Sequence, residues 1–178
     1  MTAEAGRGAA VRVRPAEPPD FAALGDLTVA AYRALADAPD EPDYFAELRD
    51  VATRAALAVV LVAIDARGAL LGGATYVPGP ENPYSELLGE GDAGIRMLAV
   101  DPASQGRGVG AALVRAVIER ARAEGRRRIV LHTTPWMLAA HRLYARLGFV
   151  RAPELDWLPL PEVPLLGYVL PLDPAAGP

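Results

Sequence analysis

Residues 94–125 read GIRMLAVDPASQGRGVGAALVRAVIERARAEG. The segment opens with an apolar run, residues 95–100, of strand length. Asp101-Pro102 turns the chain into Gln105-Gly106-Arg107-Gly108-Val109-Gly110. Apolar residues then recur at Val109, Leu113, Ala116, Val117 and Ala121, the three-and-four spacing of a helix with one buried face. Strand, glycine-rich turn and helix together make an anion site. The first amides of a helix have no intrahelical partner, and the macrodipole adds partial positive charge there. Glycine at 106, 108 and 110 lets backbone approach a phosphate with no Cβ between them.

Spacing narrows the phosphate ligand. A nucleotide-triphosphate loop needs GxxxxGK[ST], and the chain contains no lysine. A dinucleotide fingerprint needs GxGxxG near a first strand, whereas Gly106 to Gly110 is GxGxG and lies past the middle of the chain. Composition excludes other classes. The 178 residues carry a net charge of −4 and are 52% hydrophobic, which suits one domain with a sizeable core. The charge disfavours general nucleic-acid binding. With no cysteine and two histidines, no metal site is expected. There is no signal-peptide pattern and no apolar run long enough to span a membrane, so a cytoplasmic protein without a membrane partner is expected.

Outward from the central unit, residues 1–10 are small and polar and are expected to be a disordered tail. Residues 11–173 form the single domain, and 174–178 are a C-terminal tail. Val11-Arg12-Val13-Arg14 alternates as a strand does. Pro18 and Pro19 open a helix with Asp20 in its first turn and Phe21, Leu24, Leu27, Ala31 and Leu35 on its stripe. A second helix starts near Pro42 and runs on through Tyr44, Phe45, Leu48, Val51 and Ala55. Residues 57–64 are a buried strand, and Asp65 to Gly68 turns it into an antiparallel partner, 69–77. Residues 78–93 make a long loop, of the kind that is often functional or mobile. Downstream come a strand (129–133), a helix (136–147) ended at Gly148, a strand at Phe149-Val150, an irregular proline-rich stretch (151–164) and a closing strand (165–172). The order predicts an α/β (α+β) domain with helices on both faces of a mixed sheet.

Two segments resemble one family. Gln105-x-x-Gly108-x-Gly110 after Leu98-Ala99-Val100 is similar to the acetyl-CoA signature [QR]-x-x-G-x-[GA] of the GNAT superfamily of N-acetyltransferases. Ala140-His141-Arg142-Leu143-Tyr144-Ala145-Arg146-Leu147-Gly148-Phe149 resembles that superfamily's A-x-x-L-Y-x-x-x-G-F segment. The resemblance covers residues 11–172 and implies the GNAT fold, with a mostly antiparallel sheet whose fourth and fifth strands splay apart.

It also implies roles. Acetyl-CoA is the donor, its pyrophosphate held by amides of Gln105, Gly106, Arg107, Gly108, Val109, Gly110 and Ala111, its pantetheine arm along Leu98, Ala99 and Val100. Tyr144 matches the tyrosine that serves the departing thiolate. Many relatives keep a glutamate base near the start of the fourth strand; Gly94 stands there, leaving Glu86, Glu90, Asp92 or a water as the base. Many relatives also keep an asparagine where Met137 stands. His132, in a strand interior, and His141, on an arginine-flanked helix, read as structural. Tyr32, Tyr44, Phe45, Trp136, Trp157 and Tyr168 are candidates to line the acceptor site, with specificity expected in the 155–161 loop. The expected activity is acetyl transfer to a primary amine of a small molecule. Acetylation of a protein lysine or N-terminus, and a non-catalytic acetyl-CoA sensor, are the alternatives; a homodimer is compatible with all three.

Overall fold

The computed structural model describes residues 10–35 and 41–172. All but Ala10 of the expected N-terminal tail, and the whole C-terminal tail, lie outside them. β1 (Arg12–Pro15) leads through a 3-10 turn, Pro18–Asp20, into α1 (Phe21–Arg33), α2 (Pro42–Arg49) and α3 (Val51–Leu57). The β2 (Val59–Ile64) and β3 (Leu70–Val77) hairpin and β4 (Asp92–Val100) follow, then α4 (Val109–Ala123), β5 (Arg128–Thr133) and α5 (Leu138–Arg146). β6 (Val150–Arg151), β7 (Trp157–Leu160) and β8 (Val163–Pro171) are the last described elements. The strand order is β1-β2-β3-β4-β5-β8-β6, with β7 paired to β8. Among the described residues, only β4 and β5 run parallel.

Side-chain alternation along β2 sorts the core into two layers. Leu61 and Ala63 pack with Val109, Leu113, Val117 and Ala121 of α4 on one face. Val60, Val62 and Ile64 pack with Leu24 of α1 and Val51 of α3 on the other. A strand covered on both faces has no polar side to show, which is why residues 57–64 read as unbroken apolar sequence.

Several boundaries differ from those expected: β4 already begins at Asp92, within the expected loop, and local chemistry moves others. The expected single helix from Pro42 breaks at Asp50, whose backbone leaves the helical region (φ −78, ψ 71) and whose carboxylate accepts from the Thr53 amide at 3.0 Å. Asp50 thereby caps a separate α3 that absorbs Leu57, and β2 starts two residues later than expected. The stretch expected to be irregular, 151–164, contains β7, which pairs Trp157 with Leu165 and Leu160 with Val163. Prolines at 159 and 161 hide that strand, but a strand at the sheet's margin tolerates them.

Two features of β4 open the sheet. Its pairing with β3 passes from Gly73↔Ala99 to Thr75↔Arg96, so Met97 and Leu98 oppose Ala74 alone, and Met97 takes φ +54. This bulge bends the strand. Buried packing of Met97 with Val29, Phe45, Leu48 and Val77 holds the uncommon backbone state. Parallel pairing with β5 runs from Asp92↔Arg128 to Ile95↔Leu131 and stops. From Arg96 onward the two strands part, as the resemblance implied.

Candidate active site

The chain leaves β4 through Asp101, whose carboxylate accepts from the Ala103 amide and the Ser104 hydroxyl. Gly106 (φ +74) and Gly108 (φ +80) then take left-handed backbone conformations, and Gly108 caps α4. The Ser104 and Gln105 amides donate to Asp101 O at 2.8 Å and Pro102 O at 3.5 Å, so Gln105 lacks the free amide expected of it, and the next amide with a backbone partner is that of Ala112, bonded to Gly108 O at 3.0 Å. Among the described residues, no partner is recorded for the amides of Gly106, Arg107, Gly108, Val109, Gly110 and Ala111. The loop is exposed. A Cβ on Gly106 or Gly108 would meet nothing within 4 Å, so these glycines are needed for their φ. Gly110 differs from its expected role: a Cβ there would lie 3.1 Å from Leu143 Cδ2, so its lack of a side chain lets α4 and α5 approach. Arg107 is exposed at the loop's outer edge.

Between the parted strands opens a cavity of about 540 Å³. Ile95 to Leu98 of β4 and His132 and Thr133 of β5 form its inner end. Tyr144, Trp136 and Met137 close one side. Tyr32, Tyr44 and Phe45 from α1 and α2, and Pro159, Leu160 and Leu165 of β7 and β8, also line it. Four of the six candidate aromatics therefore line it. Trp157 instead backs the His132 ring edge-on at 6.4 Å, and Tyr168 packs against Tyr144 and His141. The acids Glu41, Asp43 and Glu47 stand at the solvent side, and Glu86 stands within. Buried Arg54 holds the end of α2 by donating to the carbonyls of Glu47 and Leu48.

Tyr144 reaches the cavity from α5 with its ring buried beside Phe149, centroids 5.6 Å apart. Its hydroxyl makes no hydrogen bond among the described residues. Burial, and then the neighbouring Tyr32, push the phenol above its ordinary range, so it stays protonated and free to donate.

The three candidate acids separate. Asp92 is 1% exposed and is held by the Arg128 guanidinium at 2.9 and 3.0 Å and by the Gly89 amide. It pins the parallel end of β4 to β5 and does not line the cavity. Glu90 is exposed, and its carbonyl accepts from Arg127. Glu86 alone lines the cavity. The loop that carries it is tied down rather than loose: Tyr84 is buried, and the Asn82 side chain bonds both the Tyr84 amide and Leu57 O. Glu86 pairs with Arg96 at 2.8 Å, and its other oxygen lies 3.7 Å from His132 Nδ1. His141 bonds Thr134 O at 2.9 Å beside the start of α5.

These parts resemble no nucleotide loop, and comparison with known proteins agrees. The model of the acetyltransferase (GNAT) family matches residues 21–149. The chain belongs to the GNAT family. Glucosamine 6-phosphate N-acetyltransferase 1 of Oryza sativa subsp. japonica is 31% identical over 148 residues, covering 83% of this chain and 86% of that protein. N-acetylaspartate synthetase of Danio rerio is 42% identical over 67 residues, 38% of this chain, and the matched segment spans only 24% of that protein. A Salmonella typhimurium structure solved with its cofactor acetyl-CoA shares the fold at TM-score 0.67 and 24% identity, covering 94% of this chain and 97% of that one.

Membership makes this chain an acyltransferase of the acetyl-CoA-dependent type, and its departures from the family pattern now have physical causes. A Cβ on Gly94 would lie 3.2 Å from Leu88 Cδ1 and 3.4 Å from Val77 Cβ, so no glutamate fits there without displacing packed atoms. A loop carboxylate, Glu86, comes to the cavity instead. Met137 occupies the N-cap of α5 with no side-chain cap bond. Among the described residues no cluster of three or more His, Asp or Glu is placed to hold a metal, and no helix is long and apolar enough to cross a membrane. His132, which reads as structural in the sequence, also lines the cavity; the signal that marks such a position is a polar residue near the C-terminal end of a parallel strand.

Proposed function

We propose that this GNAT enzyme transfers the acetyl group of acetyl-CoA to a primary amine of a small cationic molecule, by direct attack in a ternary complex. The observation that carries the reading is the continuous cavity from the parted edge of β4, past Tyr144, to the acids on α2. The free amides of residues 106–111 hold the pyrophosphate with backbone donors and the α4 dipole. The unpaired edge of β4 beyond Ile95 takes the pantetheine arm, and donors fixed there stabilise the negative charge that develops on the thioester oxygen. The Tyr144 hydroxyl donates to the departing sulfur. Glu41, Asp43 and Glu47 attract a cation to the mouth, and the aromatic walls bury its carbon chain.

Support for a small acceptor comes from the walls that α1, α2 and the β7–β8 arm add to the cavity beside Tyr144. The test is release of free thiol from acetyl-CoA with monoamines, diamines, hexosamines and lysine peptides. Small cationic amines are expected to accelerate release most. Preference for the peptides would overturn the small-molecule reading. Acetyl-CoA binding without acceleration by any amine would make the chain a binding module.

A further inference from the structure

His132 sits at the end of β5 just past the point where β4 and β5 part, and the residue lines the cavity. The side chain is 3% exposed. Its Nε2 lies 2.9 Å from the carbonyl oxygen of Leu155. A carbonyl only accepts, so Nε2 carries the proton, and the neutral ring presents Nδ1 as a bare acceptor. Nδ1 faces Glu86 Oε2 across 3.7 Å, beyond hydrogen-bond length, with no hydrogen for either to give. Two acceptors, one from β5 and one from the loop before β4, thus face each other on residues that both line the cavity. A primary ammonium, with several N–H donors on one atom, satisfies both.

We propose that His132 is the proton acceptor of the reaction and that Glu86 is its positioning partner. The proposal rests on the amine-acetylation reading above. The bound ammonium gives one N–H to Glu86 and one to Nδ1. The N–H bond to His132 breaks, the proton moves to Nδ1, and the freed electron pair forms the C–N bond at the thioester carbonyl carbon. The C–S bond breaks with its pair on sulfur. Tyr144 gives its hydroxyl proton to that sulfur and is reprotonated by the second nitrogen proton, acidic once the C–N bond exists, so the thiol leaves neutral and one proton remains on His132. The imidazolium then faces the Glu86 carboxylate, whose side chain is 19% exposed and opens a way to solvent.

The charged and titratable groups around the ring fit this role. Glu86 faces it from the loop, Arg96 from β4, and Asp156 from the segment before β7, while Tyr84 shares the small recess behind Glu86. Burial pushes the ring's proton affinity down, and the Leu155 carbonyl and Glu86 restore part of it. The ring is neutral, and able to accept, at neutral pH.

The test compares kcat at saturating acetyl-CoA and amine for wild type, His132→Gln and Glu86→Gln between about pH 5 and 9, the range in which a histidine changes charge. Acetyl-CoA affinity is read by calorimetry. Wild-type kcat is expected to fall on the acid side through one ionisation. His132→Gln, which keeps a donor for Leu155 O, is expected to lose about 10²- to 10⁴-fold in kcat and to lose that acid limb, with acetyl-CoA affinity unchanged. Glu86→Gln is expected to move the limb to lower pH, because the carboxylate that favours the imidazolium is gone. A His132→Gln enzyme with wild-type rate and limb overturns the proposal. So does a Glu86→Gln limb that does not move, a result that stands even where His132→Gln fails to fold. Wild-type enzyme inactive with every amine refutes the acetylation reading instead, and the two failures are distinct.

Discussion

Gly108→Ala separates a cofactor cradle from an ordinary helix start. Gly108 holds φ +80 at the cap of α4, and a Cβ there meets no atom within 4 Å. The substitution therefore causes no clash. Its cost is the left-handed conformation itself, about 1–2 kcal/mol for an L-residue. The loop is exposed and its amides have no internal partners, so in the free protein it relaxes to a favourable φ with little loss of stability. Binding acetyl-CoA requires the loop to return, and that cost then appears in the affinity, as roughly a 5- to 30-fold rise in Kd. Calorimetric titration and a thermal melt measure the two effects separately. Gly110→Ala is the contrast: its Cβ lies 3.1 Å from Leu143 Cδ2, so its effect is expected in the melting temperature through the α4–α5 contact. Unchanged acetyl-CoA affinity in Gly108→Ala refutes the assignment of the pyrophosphate to these amides.

Two further outcomes follow from side chains. Tyr144→Phe removes a hydroxyl that makes no internal hydrogen bond, so stability is expected to hold while kcat falls about 10²-fold or more with acetyl-CoA affinity intact; a wild-type kcat removes Tyr144 from the reaction. Stability against pH is expected to fall in two stages, measured by denaturant midpoints. Burial depresses the His132 pKa, so below about pH 6.5 the unfolded ring takes a proton that the native ring refuses, and stability falls as pH falls. Asp20 beside Arg14 and Asp156 beside Arg151 are held below the usual carboxylate range. The stability they supply is present above about pH 4 and is lost as pH drops through their native values. A midpoint that rises between about pH 6.5 and 5 contradicts the first stage.

Most of the fold is legible because its signals are local. The strand, turn and helix of residues 94–125 each announce themselves within a few residues, and the double-faced burial of β2 leaves an unbroken apolar run. The misses are also local in origin. Asp50 sits inside a continuous helical stripe, and only its cap bond to Thr53 shows that two helices meet there. β7 is short and proline-rich, and it exists because β8 offers it an edge.

The proposed donor end of the site follows the same rule. Gly106, Gly108 and the amides after them are neighbours in the chain, so their spacing carries the information. The proposed acceptor end does not. Glu86, Arg96 and His132 come from a loop and two strands and meet only because β4 and β5 part after Ile95. Equally, nothing in the run Glu86, Glu90, Asp92 distinguishes its members; Arg128, 36 residues away from Asp92, takes that acid out of the cavity. At Gly94 the obstacle to a glutamate is likewise spatial, since a Cβ there would crowd Leu88 and Val77.

The most direct measurement is the fate of the acetyl group when the wild-type protein is mixed with acetyl-CoA and a small diamine. Free thiol is followed by its colour reaction and the acceptor by mass spectrometry. Amine-dependent thiol release, matched mole for mole by the monoacetylated diamine, is the expected result. Thiol release at the same rate without amine, or acetyl-CoA bound and recovered intact, would contradict the account.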